Sequence, residues 1–401
     1  MAENYILYPQ LQGVTNEDIL KSIISDTERD LDITETARNV DFEFYWQEKC
    51  EKDENLKRLK KEQHGNSYKQ AFIEKYIEKL LEDFHSSSED SVKELTKKLN
   101  AARFEVFSLT ISRLQHLDIS IVFEYLPNLA FLTLTYGAKH VGMAYERPLF
   151  GMKMSDAKIL KDCLRRTQSL CQISLPGNLI DDDLISILIK GLMLNKTITQ
   201  IDLAHNKIGD SGARKIAKYV LQTTILTNLN LGDNCITYEG SRYLAQALKV
   251  NKSLIHLDLK LNRLDDKAGS KLCIDLLNNN SGLQFLGLSS NRLSNMFCES
   301  LSEYLKANVS LQSLDISCNL IGESSATTLK SSLEGNKYIV SIDVCKNQLE
   351  EKTIGEINEI VLKNYLKSNS ISYQKISNCK SYNSNYLRCW IGHESTGRRG
   401  R

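Results

Sequence analysis

Between residues 170 and 349 the apolar positions follow one phrase, Leu-x-x-Leu-x-Leu-x-x-Asn-x-Leu, with Ile standing in for Leu at some places. Its middle alternates apolar and polar, which predicts a short strand with one buried face: Ile201 and Leu203 point inward and Asp202 outward. Beyond the asparagine the apolar spacing changes to three or four. Ile208, Ala213, Ile216, Ala217 and Val220 then line one face of a returning helix, opened by the turn Gly209-Asp210-Ser211-Gly212.

The asparagines of the phrase are Asn178, Asn206, Asn234, Asn262, Asn291, Asn319 and Asn347, at intervals of 28, 28, 28, 29, 28 and 28 residues. A fixed period of this length carrying this phrase is the signature of a leucine-rich-repeat solenoid. The expected fold class is therefore α/β, with a curved parallel sheet inside, helices outside, and a helical segment ahead of the repeats. Each asparagine amide is placed to satisfy backbone groups where the chain leaves a strand, so that the seven form a ladder. Strands about 4.8 Å apart and helices 8 to 10 Å apart cannot stack straight, so the sheet bends by roughly 25° per repeat.

Two degenerate copies, Val106-x-x-Leu109-x-Ile111 and Leu129-x-x-Leu132-x-Leu134, keep the apolar spacing without the asparagine. From Leu134 to Leu170 is 36 residues, against 23 from Leu175 to Ile198, so an insertion of about 13 residues sits near 136–160. It is rich in large side chains, and Tyr136, Met143, Tyr145, Glu146, Arg147 and Phe150 are its candidate protein-binding residues.

Residues 1–40 read as a flexible arm with one short helix, Asn16 to Leu31, capped by Thr15 or Asn16. Residues 41–104 read as a helical domain capping the solenoid. It opens with the cluster Phe42, Phe44, Tyr45 and Trp46, then a charged helix from Glu48 to Lys61 and a Gly65-Asn66 break. An amphipathic helix follows, with Tyr68, Phe72, Ile73, Tyr76, Ile77, Leu80, Leu81 and Phe84 on one face that must be buried. The run Lys57, Arg58, Lys60, Lys61 is interleaved with acids and reads as a solvated face. Ser91 and Glu94 are spaced as a capping box for a third helix running to about Ala102. The repeats occupy 105–366, and 367–401 is a basic, disordered tail.

Composition narrows the classes. With 41% hydrophobic and 25% charged residues the chain is ordinary for a globular protein, and no apolar run approaches the roughly 20 residues of a membrane span. Met1 to Gln12 lacks a basic start followed by an apolar core, so a cytosolic protein with reduced thiols is expected. The ten cysteines include no Cys-x-x-Cys pair, which argues against metal and disulfide frameworks. The net charge is +1, yet residues 367–401 alone hold seven Lys or Arg against one Glu, leaving −5 on the rest. The strand surface is the candidate binding face, through Gln200, Asp202, Asn228, Asn230, His256, Asp258, Lys260, Phe285, Asp315 and Asp343. Four aspartates there suit a basic partner better than nucleic acid, but aspartate in this phrase also hydrogen-bonds along the sheet, and both readings stand.

The period resembles that of the ribonuclease-inhibitor class, which spans inhibitors, GTPase activators, actin-capping proteins and immune receptors. Tyr136 to Phe150, Asp181-Asp182-Asp183, Asp202 to Arg214 and Leu257 to Arg263 together resemble the family of nexin-dynein regulatory complex subunit 5, also called the t-complex-associated testis-expressed protein 1 family. The likeness runs from about 41 to 366 and leaves out the arm and the tail. It implies a scaffold without catalytic, cofactor or metal residues, in the axoneme of cilia and flagella. There it links outer doublet microtubules and helps regulate dynein-driven motility. The implied partners are other subunits, one of them another leucine-rich-repeat protein, with doublets and inner dynein arms reached indirectly, and neither nucleic acid nor membrane. No phosphate loop, His-Glu-x-x-His or nucleophile elbow is present. A Ran GTPase-activating protein or another cytosolic adaptor is the alternative. The former typically carries an acidic segment after its repeats, where this chain is basic, and an adaptor's F-box is not found in 1–100.

Overall fold

Strand length tracks the asparagine. The strands that lead into an asparagine bend are three residues long, whereas the first two, which lack it, run for seven and six residues. The structure, a computed structural model, describes residues 33–54, 56–57, 61–84, 89–115, 117–138, 149–277 and 282–368. The helix expected over Asn16 to Leu31 lies outside them, as does the tail beyond Ser368. The chain divides into two compact units, 1–206 and 207–401.

The first unit carries α1 (Ile33–Asn39), α2 (Glu43–Lys52), α3 (Tyr68–Glu82), α4 (Glu89–Ala101), β1 (Ser108–Leu114), α5 (Ser120–Tyr125), β2 (Phe131–Tyr136), α6 (Met154–Arg166), β3 (Gln172–Ser174), α7 (Asp182–Leu192) and β4 (Gln200–Asp202). Strands β1 to β4 pair in parallel, each beside the next. The second unit repeats strand and helix: α8 (Asp210–Gln222), β5 (Asn228–Asn230), α9 (Tyr238–Val250), β6 (His256–Asp258), α10 (Asp266–Leu277), β7 (Phe285–Gly287), α11 (Asn295–Ala307), β8 (Ser313–Asp315), α12 (Ala326–Gly335), β9 (Ser341–Asp343) and α13 (Glu351–Ser368). Its strands β5 to β9 are likewise parallel. One leucine or isoleucine per strand, Leu229, Leu257, Leu286, Leu314 and Ile342, stacks into the layer between strands and helices. Repeats approach closely enough that a Cβ on Gly240 of α9 would stand 2.5 Å from Oδ1 of Asp210. That carboxylate accepts the N–H groups of Thr237 and Gly240, so the start of one helix caps the next.

The N-terminal helices differ from expectation in three places. Residues 33–40, assigned to the arm, bury Ile33, Ala37 and Val40. The second helix starts at Glu43, inside the aromatic cluster, and ends at Lys52 rather than reaching Lys61. Helical spacing is what buries Tyr45, Trp46 and Cys50 together, and the Trp46 indole donates to the Val40 carbonyl at 2.9 Å. The third helix begins at Glu89, so Ser91 lies within it and is not its cap.

The buried face of α3 is also not the purely apolar one expected. Ile73, Ile77 and Leu81 are buried, but so are Lys69, Glu74 and Glu78, while Tyr68, Phe72, Tyr76, Leu80 and Phe84 are only half-buried. The reason is the edge of the sheet. Among the described residues no strand precedes β1, and its outward N–H groups need acceptors. Glu74 Oε1 takes those of Phe107 and Ser108, each at 2.9 Å; Glu78 takes Thr110 and Glu82 takes Ser112, each at 2.7 Å. Four residues of helix rise roughly 6 Å and two of strand about 6.6 Å, so carboxylates at i, i+4 and i+8 match alternate strand amides. Lys69 bridges Asp41 and Glu105, and His64 lies in hydrogen-bond contact with Glu74.

Burial holds the Glu78 carboxyl above its ordinary value of 4.5, against the pull of the Lys75 ammonium and the Thr110 N–H, with Glu74 adding to the rise. A raised folded-state pKa means that the contribution of this group is fully present below the unfolded value and is lost as pH rises through the folded one. Glu78→Gln keeps an acceptor for Thr110 and removes the titration. In urea unfolding we expect the variant to gain stability over the native chain as pH goes from about 4 to about 7. A difference that stays constant across that range would contradict the assignment.

Candidate functional site

The outward side chains of the strands form rows. In the second unit Asn228, His256 and Phe285 share one register line, and Asn230, Asp258, Gly287, Asp315 and Asp343 the next. The His256 and Phe285 rings stack with centroids 3.9 Å apart and planes within 2°. Burial lowers the His256 pKa from 6.5, with Lys260 acting the same way and Asp258 opposing, so the imidazole is held neutral. The stack is therefore an uncharged ridge on an otherwise polar surface.

The aspartates are largely engaged by their own turns. Asp202, Asp258, Asp315 and Asp343 each accept the N–H two residues on, from Ala204, Lys260, Ser317 and Cys345, at 2.9 to 3.0 Å. Asn230 does the same for Gly232. The second oxygen of Asp202 takes the Ser174 hydroxyl at 3.0 Å, and that of Asp258 lies 3.2 Å from the Lys260 ammonium. Gly287 makes room here, since a Cβ on it would stand 2.6 Å from Asp258 Oδ1. Gln200, in the first unit, is half-buried at the start of β4. Among the described residues no group of His, Cys, Asp and Glu is arranged to hold a metal ion.

The insertion leaves the sheet at Gly137 and returns at Phe150, where the two form an antiparallel bridge. Met143, Tyr145, Glu146 and Arg147 lie outside the described residues. Phe150 is half-buried, and a Cβ on Gly137 would meet its ring at 3.3 Å. Tyr136 is corrected from a surface residue to a core one: it is 1% exposed at the end of β2, where the strand alternation turns it inward. Asn178 clamps the foot of the insertion. Its amide accepts the Tyr136 N–H and donates to the Leu134 carbonyl, each at 2.7 Å, while its own carbonyl accepts from Met152 at 2.8 Å.

A family model described as Leucine Rich repeat matches residues 194–217, 224–245 and 250–273. Dynein regulatory complex subunit 5 of Chlamydomonas reinhardtii is 34% identical over 173 residues, which is 43% of this chain and 44% of that protein. Dynein regulatory complex subunit 5 of Mus musculus is 29% identical over 201 residues, 43% of this chain and 40% of that protein. The chain carries leucine-rich repeats and is similar to dynein regulatory complex subunit 5. The matches span less than half the length of either relative. Among solved structures, an internalin from Listeria monocytogenes aligns with a TM-score of 0.38 at 15% identity, over 68% of this chain and 75% of that one.

In this relative of subunit 5 the asparagine amides do the following work. Asn206 Oδ1 accepts from Asn178 and Ile180, and Nδ2 donates to the carbonyls of Leu175, Leu203 and Ala204, all between 2.9 and 3.0 Å. Asn234, Asn262, Asn291 and Asn319 repeat the arrangement between successive turns, and Asn347 accepts from Asn319 and Ile321. Six of these asparagines are preceded by a residue with φ between 51° and 59°: His205, Asp233, Leu261, Ser290, Cys318 and Lys346. Only Gly adopts such an angle freely; other residues pay roughly 1 kcal/mol. Within the second unit the bend is held by the next repeat, as where Leu261 N–H meets the Ser289 carbonyl at 2.9 Å.

A second set, unnoticed in the sequence, lies 17 residues after the first: Asn195, Asn251, Asn308, Asn336 and Asn364. Asn251, Asn308 and Asn336 cap the ends of their helices, Asn195 follows the end of α7, and Asn364 lies within α13. Asn251, for example, donates to Val220 and Thr223 carbonyls of the previous repeat and accepts from Ser253 and Leu254. The signal was present as Asn-x-Ser/Thr/Tyr-Leu/Ile at 195, 251, 308 and 336.

Two measurements follow from this geometry. Asn206→Ala strands two buried N–H and three carbonyl groups, so it is expected to cost about 2–4 kcal/mol in denaturant unfolding, and more than Asn347→Ala at the last repeat. By NMR, His256 is expected to titrate below 6.5, and Phe285→Ala, by opening it to water, to move the midpoint back up.

Proposed function

We propose that this chain is a non-catalytic scaffold subunit of the nexin-dynein regulatory complex in the axoneme of cilia and flagella. It helps to link outer doublet microtubules and to regulate dynein-driven motility. The observation that carries the reading is the 34% identity over 173 residues to a protein named as a subunit of that complex. Two features support it. The repeats present a stiff surface, since each bend is held by buried amides rather than by mobile side chains. The insertion is anchored at Tyr136, Gly137 and Phe150, so that whatever it binds is held in a set position relative to β2 and β3.

On this reading other subunits of the complex, including another leucine-rich-repeat subunit, dock on the strand surface and the insertion. The uncharged His256–Phe285 ridge supplies apolar contact, while doublets and inner dynein arms are reached through those subunits. On this reading neither nucleic acid nor membrane is a partner.

Tagged protein expressed in a ciliated cell is expected along the ciliary shaft, to resist detergent, and to be released by high salt. Replacing Met143 and Tyr145 with Ala is expected to abolish incorporation while the melting temperature of the purified chain stays within about 2 °C. A diffuse cytosolic signal with acceleration of GTP hydrolysis by Ran in vitro would instead place the chain among GTPase activators.

A further inference from the structure

The helical side of the second unit has a charge pattern unlike its strand side. On α8, Arg214, Lys215 and Lys218 are exposed; on the adjacent α9, Arg242 is half-buried and Lys249 exposed. Arg214 and Arg242 converge from neighbouring helices on one ring, with guanidinium carbons 5.1 and 4.8 Å from the Tyr243 centroid. Arg242 pairs with Glu239 at 2.9 Å, but among the described residues no carboxylate pairs with Arg214, Lys215, Lys218 or Lys249. Glu239 offsets one of the two guanidinium charges gathered on the ring, and an anion at Arg214 offsets the other.

We propose that this strip on α8 and α9 is a docking site for an acidic, extended protein segment rich in Glu or Asp. Arg214 and Lys218 lie one turn apart, about 6 Å along the helix, close to the roughly 6.6 Å between alternate side chains of an extended peptide. The helices are about 8 to 10 Å apart, so a segment crossing both meets a further cation at Lys249, Arg242 being held by Glu239. The Arg214 fork suits a carboxylate, because two parallel N–H groups match two oxygens. Nucleic acid fits less well, because the Tyr243 ring is already occupied by guanidiniums and offers no free platform for a base.

The test uses the full chain with a fluorescent ten-residue oligoglutamate and, separately, a ten-nucleotide thymidine oligomer, by anisotropy at low salt. The peptide is expected to bind more tightly than the oligonucleotide. Arg214→Glu with Lys218→Glu is expected to weaken the peptide at least about tenfold, while Lys352→Glu with Lys367→Glu, the same charge change on α13, has less than a twofold effect. Tyr243→Leu, which keeps the charge and releases the guanidiniums, is expected to weaken it about threefold, with thermal melting confirming that each variant is folded. Absence of peptide binding, tighter binding of the oligonucleotide, or equal losses in the two charge-reversal variants would each overturn the proposal.

Discussion

A strand that turns sharply out of a sheet leaves backbone N–H and C=O groups buried, and each such group without a partner costs about 1–3 kcal/mol. One asparagine amide per turn meets that constraint. Its oxygen serves the bend of the preceding repeat and its nitrogen the carbonyls on both sides, as Asn262 does for Leu231, Leu259 and Lys260. Neither glutamine, one carbon longer, nor aspartate, which cannot donate, can replace it. The left-handed residues beside each amide show how tight the bend is, for six non-glycine side chains accept the strain in order to keep it. At the ends of α9, α11 and α12 a second asparagine, Asn251, Asn308 or Asn336, meets the same need.

The start of the first unit answers the related problem of an open edge. Glutamates on α3 act in place of a preceding strand, accepting amide hydrogens of β1 at helical intervals that match strand intervals. This makes the amphipathic helix more than an apolar lid. Its buried carboxylates occupy donors that would otherwise be available for pairing with another chain.

Charge is used differently on the two sides of the repeats. On the strand side the aspartates are taken up mainly by their own turns, which leaves the neutral His256–Phe285 pair as the distinctive feature of that surface. On the helical side Arg214, Lys215 and Lys218 have no carboxylate partner among the described residues, and Arg214 lies over the Tyr243 ring. The strand side thus offers shape and apolar contact, and the helical side exposed positive charge.

The regular repeats were legible because their determinants are local and periodic. The phrase set the strands, the helices and the asparagine positions, and only against the strict 28-residue count did the excursion after Tyr136 stand out. The N-terminal helices were less legible, since their apolar residues do not repeat. Ile33 to Val40 read as an arm because its burial depends on a partner, α4, roughly sixty residues away in the chain. Glu74, Glu78 and Glu82 carry no mark of their role in the sequence for the same reason: a carboxylate serves a strand edge only when that edge lies beside it. Tyr136 likewise looked like a binding residue by composition, and its register in β2 turned it into the core. Sequence alone thus determined what each repeat is, through patterns within some thirty residues. Which polar groups are surface and which are structural was decided by tertiary contacts, because the worth of a charge or an amide depends on what stands opposite it.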